Sequence, residues 1–189
     1  MRYTLKTAWN YALADWHRHR HPAMPADLIG QPTPGGGGAA MILNALVCRD
    51  HCAAFCFWLR MARLPMSTGI GLPAKLMHRR LKNKYGLQIQ PQTDIGPGLY
   101  IGHGIGIVIH PLTRIGANCN ISQNLTIGSN RSTPAVIGDN VYIGPGVCIV
   151  ENVSIGDRAV IGAGAVVVKD IPAGATAVGN PARILSRER

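Results

Sequence analysis

Two histidines, His103 and His110, stand where a regular six-residue recurrence first loses step. A neutral imidazole, with an unperturbed pKa near ~6.5, can take the proton of a hydroxyl nucleophile at neutral pH without a metal. His103 is therefore the candidate general base. His110 precedes Pro111 in a bulge, the ordinary setting of a surface turn, and is kept as a substrate-binding candidate. Gln123 is a second such candidate, although Asn120, Gln123 and Asn124 could equally form a structural amide ladder along stacked strands. Cys48, Cys52 and Cys56 recur every four residues with His51 among them, which places the three thiols on one helix face. Small core residues are the ordinary reading of such thiols, and no metal is expected.

The recurrence itself is the strongest signal in the chain. Ile89, Ile95, Ile101 and Ile107 are followed, after a two-residue shift, by Ile109, Ile115, Ile121 and Ile127. Ile137, Ile143, Ile149, Ile155, Ile161 and Val167 complete the series after a four-residue gap. Gly follows many of these positions, as at Gly96, Gly116, Gly138 and Gly156. Neither a helix period nor strand alternation yields a repeat of six. Such a repeat describes a solenoid whose short strands each bury one branched aliphatic chain and turn a corner at Gly. Three hexads close a triangular coil, and coils stack at about 4.8 Å through strand hydrogen bonds. Ile101, Ile121 and Ile143 should then stack, with His103 under Gln123 and near Pro145. The loop Ser129 to Val136 should leave the adjoining corner and wall a cleft.

Residues 1–86 read differently. Amphipathic or apolar patterning predicts helices over 1–19, 39–64 and 73–84, with a Gly- and Pro-rich linker over 30–38. This part holds 12 Lys and Arg against 3 Asp and Glu, a balance of +9, whereas residues 87–189 balance at +1. A basic surface suits nucleic acid, an anionic membrane or phosphate-bearing substrates. Lys75, Arg79, Arg80, Lys82 and Lys84 lack an interleaved aromatic platform, so nucleic acid is not expected. The apolar run over 39–64 is broken by five charged or His residues and is a poor membrane span; no signal-peptide pattern opens the chain. A cytoplasmic protein is expected, with the N-terminal helices available for peripheral contact with the inner face of a membrane.

The segments Gly98-Leu-Tyr-Ile-Gly-His-Gly-Ile-Gly-Ile-Val-Ile109, Asn120-Ile-Ser-Gln-Asn-Leu-Thr-Ile-Gly128, Ile161-Gly-Ala-Gly-Ala-Val-Val167 and Gly179-Asn-Pro-Ala-Arg183 resemble the serine acetyltransferase branch of the hexapeptide-repeat acyltransferases. The resemblance covers about 87–185. It implies an all-β solenoid, a left-handed parallel β-helix that departs from the usual right-handed crossover, preceded by an α-helical N-terminal region over 1–86 and followed by a short tail, 186–189. It further implies a homotrimer with acetyl-CoA in a groove between subunits, and direct acetyl transfer with His103 as base. Gly144, Pro145, Gly146, Gly162, Ala163, Gly164 and Ala165 would face the pantetheine arm, and Lys169 and Arg183 the nucleotide phosphates. The glycines would be needed for the turns even without this ligand.

Three positions depart from the branch. Gly102 stands where it has an Asp before the catalytic His, Gln88 replaces the Asp that orients it, and Pro134 replaces a loop His. A cationic ammonium group loses its counter-charges there, and Gln88 becomes the candidate orienter of the base. The segments Tyr85-Gly-Leu-Gln-Ile89 and Tyr100-Ile-Gly-His103 resemble the serine-acetyltransferase-like enzymes of capsule and exopolysaccharide clusters, and with the departures they make a sugar hydroxyl the expected acceptor, with Gln88 and Tyr100 in its site. Serine O-acetyltransferase and a non-catalytic β-helix scaffold are the alternatives.

Overall fold

The computed structural model describes residues 3–21, 37–130 and 134–185. The expected linker lies outside them up to residue 36, as do the tail and residues 131–133 of the expected loop. Helix α1 (Leu5–Arg20) opens at Thr4, whose side chain accepts the Thr7 N–H. The single helix expected over 39–64 is two. Helix α2 (Gly38–Val47) ends on a left-handed Cys48, and α3 (His51–Met61) restarts on Asp50, whose carboxylate accepts the Cys52 and Ala53 N–H groups. This cap satisfies donors that a helix start would leave stranded. Asn44 clamps the break, accepting the Asp50 N–H at 2.8 Å and donating to the Asp50 carbonyl at 3.1 Å. Cys48 therefore leaves the face that Cys52 and Cys56 share. After a short 3-10 turn, α4 (Gly71–Tyr85) ends on a left-handed Gly86. No single helix among the described residues is long and apolar enough to cross a membrane; α2 and α3 meet that criterion only together, across a 102° bend.

From Gln88 the chain winds as a left-handed parallel β-helix of two- and three-residue strands on three faces. Face I holds β1 (Asp94–Ile95), β4 (Arg114–Ile115), β7 (Val136–Ile137) and β10 (Ser154–Ile155). Face II holds β2 (Tyr100–Gly102), β5 (Asn120–Ser122), β8 (Tyr142–Ile143), β11 (Val160–Ile161), β13 (Thr176–Val178) and β14 (Arg183–Ile184). Face III holds β3 (Val108–Ile109), β6 (Thr126–Gly128), β9 (Cys148–Val150) and β12 (Val166–Val167). Ile101, Ile121, Ile143 and Ile161 are in register and buried, which is the interior aliphatic column that the hexads predict. At the corner from face I to face II a left-handed residue recurs in every coil: Gly98, Asn118, Asn140, Arg158 and Gly174. From the second coil upward each bonds the coil below through its N–H, as Asn118 to the Pro97 carbonyl at 2.8 Å.

A stack of coils ends in open strand edges, which must be satisfied. At the top β14 folds back antiparallel on β13. At the bottom, polar side chains of the helices do the work. Asp15 accepts the Leu99 N–H at 2.8 Å, His19 Nε2 accepts the Ile101 N–H at 3.3 Å, and His78 Nε2 donates to the Ile89 carbonyl at 3.0 Å. Arg60 donates to the carbonyls of Ile95 and Gly96 at 2.6 and 2.7 Å and pairs with Asp15 at 2.8 Å, the two side chains being 3% and 1% exposed. Burial alone would lower the Arg60 guanidinium pKa; Asp15 reverses the shift and holds it charged. Two cations of the basic half, Arg18 and Arg60, are thus buried in the cap and not offered to a surface.

Candidate active site

His103 sits at the corner from face II to face III. The other coils turn this corner on one left-handed residue, Asn124, Gly146 or Gly164, and the first coil uses Gly106 in that role. The two-residue insertion adds a second left-handed residue there, His103 at φ 53°. Few residues other than Gly adopt this conformation without strain. The imidazole is exposed while its neighbours Ile101 and Gly104 are buried, so the insertion pushes one titratable side chain off the scaffold.

The same edge carries most of the expected ligand-facing backbone. Gly102 pairs with Ser122, which sets Gln123 in the coil above His103, and Gln123 accepts the Gly146 N–H at 2.9 Å. Gly164 donates to Pro145 at 2.8 Å, so Gln123, Pro145–Gly146 and Ala163–Gly164 run up one edge. A Cβ on Gly144 would meet Ala163 N at 2.8 Å, and one on Gly162 would meet Val178 Cγ1 at 2.7 Å; these glycines are required by coil stacking itself. A Cβ on Gly164 would meet nothing within 4 Å, which leaves the edge open for an elongated ligand. Ala165 is buried and points inward.

Other expected site residues lie elsewhere. His110 is at the next corner, from face III to face I, where its Nδ1 accepts the Leu112 N–H at 3.2 Å and shapes the turn. Lys169 follows β12 at that corner too, away from the edge of His103, and the described ends of the 129–136 loop leave from there. Arg183 is exposed on β14, on face II. Gln88 is exposed on face III, bridged to Val108. The Tyr100 ring is committed to α1: His19 lies 5.0 Å from it and the Arg18 guanidinium 5.9 Å. Sequence reasoning missed Cys52, whose Sγ accepts the buried Gly104 N–H at 3.2 Å beside His103. A contact between residues so far apart in sequence leaves no local pattern to read. Among the described residues no three His, Cys, Asp or Glu side chains gather as a metal-ligand set.

The family described as bacterial transferase hexapeptide (six repeats) matches residues 134–169. The chain is 31% identical to a soybean serine acetyltransferase solved in complex with serine, over 93% of this chain and 68% of that one, with a TM-score of 0.70. A serine acetyltransferase solved in complex with CoA shares the fold at a TM-score of 0.72, with 24% identity over 96% of this chain and 71% of that one. The chain belongs to the hexapeptide-repeat acyltransferase family. Within it, the relatives are serine acetyltransferases: the chloroplastic serine acetyltransferase 1 of Arabidopsis thaliana is 37% identical over 144 residues, 74% of this chain and 43% of its own length. The serine acetyltransferase of Synechococcus elongatus is 36% identical over 150 residues, 76% of this chain and 57% of its own. The chain thus spans about half the length of these relatives. These likenesses correct the expectation of a sugar acceptor and of nearness to exopolysaccharide enzymes. The departures at Gly102, Gln88 and Pro134 sit within a chain whose relatives carry serine in their names, and three positions do not outweigh that likeness.

Proposed function

We propose that the protein is an acetyl-CoA-dependent serine O-acetyltransferase. The observation that carries this reading is the 31% identity to the serine-bound soybean enzyme over 93% of the chain, helical cap included. The His103 imidazole takes the proton of the serine hydroxyl as its oxygen attacks the thioester carbonyl. The tetrahedral adduct then collapses, the C–S bond breaks, and the departing thiolate recovers the proton from the imidazolium. Pantetheine lies along the edge of Gly146, Ala163 and Gly164, and a second copy of the chain supplies the facing wall in a homotrimer.

The departures then set affinity, not acceptor identity. Without a carboxylate at positions 88 and 102, the serine ammonium is left with neutral acceptors and binds weakly. Steady-state thiol release with L-serine tests the reading. Saturable, serine-dependent turnover with a high KM supports it; thiol release indifferent to serine overturns it.

A further inference from the structure

The inserted corner at His103 is held from the helical side. Of the backbone groups around it, Ile105 N–H bonds the His103 carbonyl at 2.8 Å, Asn124 N–H bonds the Ile105 carbonyl at 2.9 Å, and Gly106 N–H bonds the Tyr85 carbonyl at 3.2 Å. One further donor, the buried Gly104 N–H, has a side chain as its partner: Cys52 Sγ at 3.2 Å. That sulfur is fixed in turn. Cys52 is the second residue of α3, its own N–H is bound by the Asp50 cap at 3.0 Å, and Asn44 clamps the cap. His51 Nε2 lies 3.4 Å from the sulfur, and the His51 ring stacks on Tyr85 at 4.3 Å, so the two anchors of the corner brace one another. The fit is close, since a Cβ on Gly104 would meet Cys52 Sγ at 3.0 Å.

We infer that Cys52 is a positioning residue for the base: by accepting the Gly104 N–H it fixes the peptide that follows His103 and so aims the imidazole out of the corner. This rests on the reading of His103 as general base. Burial pushes the Cys52 thiol up to about 11, so the group acts as a neutral acceptor. A sulfur is a weak acceptor, but here its loss would leave a buried donor with no other partner. The corner would relax, and displacement of a reacting group by about 1 Å costs on the order of a hundredfold in rate.

The test compares Cys52→Ala, Cys52→Ser and Cys56→Ala, the last removing a fully buried thiol one turn along α3 that makes no hydrogen bond to the corner. Cys52→Ala is expected to lower kcat about tenfold to a hundredfold with the KM for acetyl-CoA unchanged. Cys52→Ser restores most of the rate because its hydroxyl accepts the same bond, and Cys56→Ala keeps the wild-type kcat whatever it does to Tm. Amide hydrogen exchange over residues 101–107 gives a readout besides activity, faster in Cys52→Ala and normal in Cys52→Ser. Wild-type kcat in Cys52→Ala, or equal rate losses in Cys52→Ala and Cys56→Ala, overturns the inference. Full turnover in His103→Ala would instead remove the base reading on which it stands.

Discussion

His103 pays for its exposure with backbone strain, since a left-handed conformation costs an L-residue about 1 kcal/mol or more. His103→Gly should therefore be more stable than His103→Ala by about 1 kcal/mol in urea unfolding, with both inactive. Equal stability would mean that the corner has relaxed in the alanine variant. Gly102 lies at φ outside the left-handed region, and a Cβ there meets nothing closer than Tyr100 Cε1 at 3.4 Å, so a side chain fits. Gly102→Asp should fold and lower the KM for L-serine by about tenfold, the scale of one charge-assisted hydrogen bond; an unchanged KM would place the ammonium elsewhere. At this scale His103 was legible because the insertion breaks a count of six. Tyr100 was not, because the groups that cover it, His19 and Arg18, come from a helix some 80 residues earlier whose docking no periodicity reveals. Lys169 follows β12, which sets it at the corner of His110 and away from that of His103.

The helical cap completes the first coil, and its stability is electrostatic as well as apolar. Asp15→Asn leaves the Arg60 charge buried and unpaired, and should cost about 3–5 kcal/mol in chemical unfolding. Loss of less than 1 kcal/mol would mean that water reaches the pair. His78 reports on the same seam. Burial lowers its pKa to about 4, against 6.5 when unfolded, so the unfolded chain binds the extra proton first as pH falls. Its contribution is therefore complete above pH 6.5 and is lost as pH drops toward 4, about 3 kcal/mol in all. His19 shifts the same way, desolvation being the largest cause. Tm measured from pH 7.5 to 4.5 should fall more steeply in wild type than in His78→Gln, which keeps a donor for the Ile89 carbonyl without titrating. The helices were readable from apolar spacing, but the break at Cys48 was not. An apolar run conceals it, and only Asp50 as a cap with Asn44 three residues inside α2 marks where one helix stops and another starts.

For the whole molecule, the solenoid is the part most fully legible, because each coil repeats one small solution: an inward aliphatic residue, a left-handed corner, and hydrogen bonds to the coils on either side. What hexads cannot encode is how the prism meets its ligands. The edge that runs from His103 through Gly146 to Gly164 is exposed on one chain, and the proposed homotrimer would set a second chain against it to make a groove. Light scattering should give a mass three times the 20.2 kDa of the chain; a monomer that turns over at the full rate would contradict the shared groove.

The most direct test of the central claim is thiol release from acetyl-CoA with L-serine as acceptor, in wild type and in His103→Ala. Serine-dependent turnover that falls by about a hundredfold to ten-thousandfold in His103→Ala is the predicted result. No serine-dependent turnover in wild type, or undiminished turnover in the variant, would contradict the account.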